Sequence, residues 1–167
     1  DKVIEEDKFL SEELTLKIAI QACDALDYLH RKQVVHRDIK PGNMIYCSDE
    51  IIKLMYFGLV RRDDNLNLTR AGTLLGSVLF MPLEQIQNPK NVDSKVDMYS
   101  FGVSLYNMLS GDYPYNGANA LEVVRKVTLE NPIPLSKANP KIPSELEGIV
   151  MKAIARNKEE RFNDMKE

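Results

Sequence analysis

The stretch from Lys95 to Leu109 restricts the fold more than any other part of the sequence. Val96, Tyr99, Val103 and Tyr106 recur at helical spacing with further apolar residues between them, so the helix is apolar on more than one face. A helix of that kind has to be buried. It stops at Ser110-Gly111 with Pro114 behind, a glycine-then-proline ending.

The same reasoning predicts a chain that is mainly helical with short β-strands. Ser11 ahead of Glu12-Glu13 reads as an N-cap, and Leu14, Ile18, Ala22, Ala25, Leu26 and Leu29 continue a helix to about Arg31. Val34-Val35, Met44-Ile45-Tyr46 and Ile51-Ile52-Lys53-Leu54 are too brief for helices. Pro41-Gly42 and Ser48-Asp49-Glu50 punctuate them, which predicts small strands. From Arg61 to about Val78 the residues are polar and glycine-punctuated without a period, the pattern of a long surface loop; such loops in compact domains are usually functional. Helical pattern returns at Pro82 to Ile86 and at Ala120 to Leu129, followed by a proline-rich connector from Pro132 to Pro143. Ser144-Glu145-Leu146-Glu147 reads as a capping box that opens a helix with Leu146, Ile149, Val150, Ala153 and Ile154 on one face.

Composition narrows the function classes. A chain of 167 residues with 44% hydrophobic and 28% charged residues has the balance of one ordinary globular domain. A net charge of -3 and a pI near 5.5 argue against a nucleic-acid partner, and the pairs Arg31-Lys32 and Arg61-Arg62 do not make a basic stripe. No run approaches the ~18 apolar residues of a membrane span. Cys23 and Cys47 lack metal-type spacing and read as two core thiols of a reducing cytoplasm.

Asp38, Lys40 and Asn43 lie in one turn-rich loop between two short apolar runs. Together they supply what phosphoryl transfer requires: a carboxylate to orient and deprotonate a hydroxyl, a cation to offset phosphoryl charge, and an amide oxygen for a hard Mg²⁺ ion. Singly each is uninformative, since an Asp in a turn is usually a turn-former or cap.

The full string His36-Arg37-Asp38-Ile39-Lys40-Pro41-Gly42-Asn43 resembles the catalytic loop of the eukaryotic-like Ser/Thr protein kinases, departing from the family pattern only by Ile39 for Leu. The resemblance implies a protein-kinase-like fold, its large helical C-terminal lobe, with the catalytic loop at 36–43 and the activation segment at about 56–84. It implies transfer of the ATP γ-phosphoryl group to Ser/Thr hydroxyls of a protein substrate. Asp38 is then the catalytic base, Lys40 the cation of the Ser/Thr branch and Asn43 a Mg²⁺ ligand. Arg37 marks the type regulated by activation-loop phosphorylation, and His36 supports the loop. Asp97, opening the central helix, is similar to the family residue that holds the catalytic-loop backbone. Glu84 and Arg161 resemble its buried Glu–Arg pair, and Ser77 the substrate-facing hydroxyl. His30, at a helix end, is expected to partner the helix dipole. Thr69 and Thr73 are candidate phosphosites, able to pair with Arg37, Arg61 or Arg62 once phosphorylated. The stretch from Ala120 to Phe162 is similar to bacterial members.

Three departures qualify that activity. Tyr56-Phe57-Gly58 stands where the family has D-F-G, and a phenol with pKa about 10 is a poor Mg²⁺ ligand. Pro82-Leu83-Glu84 stands for A-P-E, Val78 falls where proline is frequent, and Lys158 stands ahead of the usual Glu-Arg; all read as loosened constraints at the substrate end. No G-x-G-x-x-G occurs, and no strand lysine or helix glutamate of an N-terminal lobe precedes Asp1. The expectation is therefore a fragment lacking that lobe, with weak ATP binding and an exposed cleft surface. It is either an impaired kinase or a pseudokinase acting as a binding or allosteric module, cytoplasmic even where the parent protein is membrane-tethered.

Overall fold

A computed structural model describes residues 9–55 and 73–167, with backbone alone for Thr73 and Leu74. Tyr56, Phe57, Gly58, Arg61, Arg62 and Thr69 lie outside the described residues, as does the Thr73 side chain. The described helices are α1 (Glu12–Arg31), α2 (Thr73–Val78), α3 (Leu83–Gln87), α4 (Lys95–Ser110), α5 (Ala120–Leu129), α6 (Leu135–Ala138) and α7 (Ser144–Ala153). One antiparallel hairpin joins β1 (Met44–Tyr46) to β2 (Ile52–Leu54), with Met44 opposite Leu54 and Tyr46 opposite Ile52.

Helix α4 is the centre of the molecule. Every residue from Val96 to Leu109 is buried, polar ones included, and the helix ends at Gly111, whose φ of 69° is the left-handed turn that glycine adopts without a Cβ penalty. Helix α1 packs on it through Ala22 and Leu26, and α7 through Val150 and its C-cap Ile154. Gly102 marks the tightest approach: a Cβ there would sit 2.8 Å from both Ala153 Cβ and Ile154 Cγ2. A second apolar cluster gathers Val78, Met81, Tyr115, Val123 and Val127 around α2, α3 and α5.

Ser11 caps α1 by accepting the Leu14 amide at 3.2 Å. Several sequence expectations differ from the structure. The end of the expected loop, Thr73–Val78, is helical, because Leu75 and Val78 turn into the second cluster. Val34-Val35 is not a strand: the Val34 amide bonds Leu29 O, and the amides of His36 and Arg37 go to a side chain instead of a ladder. Ile51 falls outside β2 and is exposed. The connector holds the short helix α6, anchored by the fully buried Leu135.

The capping box does not form. Pro143 is the N-cap of α7, the Ser144 hydroxyl donates to Glu145, and Glu147 reaches across to accept the Ser136 amide at 2.8 Å. On the same helix Ile149 is 51% exposed while Val150, Ala153 and Ile154 are buried, so the apolar face is narrower than its pattern suggests. Val78 lies in the second cluster and Leu83 packs against it. Both cysteines are half-buried, and burial pushes the Cys23 thiol up to about 11. Among the described residues, no helix is long and apolar enough to cross a membrane.

Candidate active site

The loop after α1 is shaped by one carboxylate. Asp97, fully buried in the first turn of α4, accepts the His36 amide through Oδ2 at 2.8 Å and the Arg37 amide through Oδ1 at 2.7 Å. Arg37 has φ 69°, a left-handed conformation that costs a non-glycine residue about 1–3 kcal/mol. Its carbonyl is held as well, by Gln85 Nε2 from α3 at 2.8 Å. Bonds on both sides of one residue fix the strained turn, and the side chains that follow are set by it.

His36 is 1% exposed, with Nε2 2.8 Å from Met55 O and Nδ1 accepting the Asp38 amide at 3.3 Å. That pattern requires the tautomer protonated on Nε2. The ring thereby links the loop to the residue that follows β2. Asn43 closes the turn: its Nδ2 donates to Asp38 O at 2.6 Å and to Asp38 Oδ2 at 2.9 Å. With the amide nitrogen committed to Asp38, Oδ1 is the Asn43 atom chemically suited to a cation.

Lys40 bridges the loop to α2. Its ammonium is 3.3 Å from Asp38 Oδ2 and 3.2 Å from Ser77 Oγ, and Ser77 is 4% exposed. Asp38, Lys40, Asn43 and Ser77 therefore form one contiguous cluster, a carboxylate held by an amide and a cation beside a hydroxyl-bearing segment. Among the described residues, no group of three or more His, Cys, Asp and Glu is arranged to hold a metal ion.

A second polar cluster centres on Glu84, in the first turn of α3. The Arg161 guanidinium is fully buried and pairs with both Glu84 oxygens, at 2.5 and 3.2 Å. It also donates to the carbonyls of Ala155, Lys95 and Arg156, and its Cζ lies 4.9 Å from the centre of the Tyr99 ring. Burial pushes the Tyr99 phenol well above its ordinary value.

Two participants were not foreseen. His30, read as a dipole partner, places Nε2 2.9 Å from Asp97 Oδ2 and so joins the loop anchor. Gln85 had no role in the sequence reading; its place beside Glu84 in a short helix was the available signal. Neither contact has a local sequence pattern, because the partners are far apart in the chain.

The helical fold around one buried central helix, with this loop and this Glu–Arg pair, defines a protein kinase. The chain matches the protein kinase domain family over residues 1–166 and belongs to it, and the relatives it resembles are the eukaryotic-like Ser/Thr kinases of bacteria. It is 33% identical over 148 residues to the serine/threonine-protein kinase PknB of Mycobacterium leprae, which covers 88% of this chain and 24% of that protein. PknB of Mycobacterium tuberculosis strain H37Rv is 32% identical over 149 residues, again 88% of this chain and 24% of that protein. A probable serine/threonine-protein kinase of Clostridium perfringens, CPE1738, is 30% identical over 165 residues, 99% of this chain and 24% of its own. The chain thus spans about a quarter of the length of the curated relatives it matches.

Proposed function

We propose that this chain is the helical, substrate-binding part of a Ser/Thr protein kinase domain whose hydroxyl-accepting side is assembled and whose metal side is impaired. The observation that carries this reading is the run of contacts from Asp38 through Lys40 to Ser77. A carboxylate fixed there is suited to orient a protein Ser/Thr hydroxyl and take its proton, while the lysine offsets charge on an incoming phosphoryl group. Arg37, beside the cluster, suits a phosphothreonine at position 69 or 73. Mass spectrometry after co-expression with an active relative tests this, and unmodified threonines would remove it.

ATP with Mg²⁺ is the family's phosphoryl donor, and the ion's chemistry is to bridge and neutralise the phosphates. The donor set does not fit that ion. Asn43 offers one neutral amide oxygen, and Tyr56 brings a protonated phenol where a carboxylate is needed. Loss of several kcal/mol of metal stabilisation lowers rate by roughly 10³-fold or more.

The test is Tyr56→Asp in the whole protein, reading Mg²⁺-dependent phosphate transfer to a protein substrate. A rise of at least about tenfold supports a kinase silenced at one ligand. No rise favours the second reading, a pseudokinase that binds or regulates another protein, which the same tyrosine supports. Cytoplasmic placement, with any membrane tether elsewhere in the parent, follows from either reading.

A further inference from the structure

Asp97 and Gln85 hold successive peptide units of the loop. Asp97 accepts the His36 and Arg37 amides, so it fixes the two units that lead into those residues. The next unit, made of the Arg37 carbonyl and the Asp38 amide, is planar and turns as one body about the single bonds on either side. Its orientation sets where the Asp38 side chain starts. Gln85 Nε2 holds its oxygen at 2.8 Å, and His36 Nδ1 holds its amide at 3.3 Å. An amide donor normally bonds within roughly 2.7–3.2 Å, so Gln85 has the firmer grip.

Gln85 is itself fixed. It is buried, its backbone amide bonds Pro82 O at 3.1 Å, and the fully buried Arg161 guanidinium clamps the preceding Glu84. Its side-chain amide is also incompletely satisfied: Oε1 is buried and has no hydrogen-bond partner among the described residues. An apolar side chain of equal length would avoid the orphaned acceptor, and a lysine or arginine would bury a charge. What the amide supplies and neither alternative does is a neutral donor at the Arg37 carbonyl. Turning it over would set Oε1 against that carbonyl, so the donating orientation is the one chemistry allows.

We infer that Gln85 is a positioning residue for Asp38, acting through the Arg37–Asp38 peptide unit and tying the aim of that carboxylate to α3. The inference rests on Asp38 being the base proposed above and adds a second residue to its control. Rotation of this unit re-aims Asp38 while Asp97 keeps both its amides, so losing Gln85 disturbs the carboxylate more than the fold. Helix α3 follows α2, which carries Ser77 against Lys40. Movement of that segment therefore reaches Asp38 by two routes, through Lys40 and through Gln85.

The experiment compares the whole protein with Gln85→Met, which keeps the length but cannot donate, and Gln85→Glu. Residue-resolved hydrogen–deuterium exchange is read, each rate relative to that of a free amide. Gln85→Met is expected to speed exchange at Asp38 at least about tenfold while His36 and Arg37 change less than about twofold. Gln85→Glu is expected to behave like Gln85→Met at about pH 8. It should recover protection at about pH 5, where the buried carboxyl, its ionisation opposed by desolvation, is protonated and donates to the Arg37 carbonyl. In the Tyr56→Asp background, Gln85→Met should lower kcat at least about tenfold and leave the peptide KM within about twofold. Equal acceleration of all three amides, no acceleration at Asp38, no recovery of Gln85→Glu at low pH, or an unchanged kcat would each overturn the positioning role. Exchange needs no phosphoryl transfer, so an inactive Tyr56→Asp protein counts against the kinase reading and leaves the exchange result to decide this one.

Discussion

Asp97 and Arg161 are both buried charged groups that fasten a loop to α4, but they grip different parts of the chain. Asp97 holds backbone amides, those of His36 and Arg37. Arg161 holds a side chain, Glu84, in addition to three carbonyls. A loop held by its backbone keeps its path whatever side chains it displays, which leaves Asp38 and Lys40 to chemistry. A segment held by one glutamate depends on that residue's identity. The strained Arg37 turn sits at the backbone-held end, where local sequence preference could not maintain it.

The largest effect is expected from Asp97→Ala. It leaves one buried and one part-buried amide without acceptors, at about 1–3 kcal/mol each, and should lower unfolding free energy by about 3 kcal/mol or more. Urea denaturation measures the loss, and limited proteolysis should show cleavage near Arg37. A cost under about 1 kcal/mol would mean that the backbone grip is not what fixes the loop.

Next is Glu84→Gln, which keeps the shape but removes the negative partner of a fully buried guanidinium. With three carbonyls still accepting from Arg161, the expected loss is about 1–3 kcal/mol, read from the same denaturation curves. An effect equal to that of Asp97→Ala would erase the distinction between the two anchors.

His30→Ala sharpens the comparison from the far side of Asp97. It removes one of three donors to that carboxylate and should cost about 1 kcal/mol, with His30→Gln restoring part of it. Amide exchange at His36 and Arg37 is the readout, faster in the alanine variant and slower again in the glutamine one.

The smallest change is expected at the rim of the second anchor, where Lys158 and Asp93 pair at 2.6 Å with both side chains exposed. Lys158→Met should cost no more than about 0.5 kcal/mol, because solvent screens the pair. Loss of some solvent around Asp93 raises its pKa, yet its bonds to Lys158 and the Lys95 amide outweigh this and hold it below its ordinary value. The unfolded chain therefore takes up this proton first. The pair's contribution is present above the unfolded value and lost as pH falls through the folded one. Denaturation midpoints between pH 6 and pH 2 should fall slightly less in Lys158→Met than in the unmodified protein.

The central helix was legible because burial on all sides leaves a continuous apolar signature, and the loop because eight adjacent residues share one chemistry. What the sequence concealed were bonds between distant segments. Helix α2 reads as loop because Gly76 and Ser77 interrupt a short apolar run too brief to show a period, and contact with Val123 and Val127 favours the helical form. Ser144 and Glu147 have the spacing of a capping box, but the competing Ser136 amide takes the glutamate. His30 gave a helix-end signal and no hint of Asp97, 67 residues away.

The Gly102 contact also bears on how this domain can exchange parts with its relatives. Helices α4 and α7 meet where a single methyl group would collide with Ala153 and Ile154, so the two segments are matched to each other. A chimera spliced between Gly111 and Ser144 takes one face of that contact from each parent, and it folds well only if the incoming α4 keeps glycine there or the incoming α7 yields space. The natural crossover points for recombining this domain therefore lie outside the interval from α4 to α7.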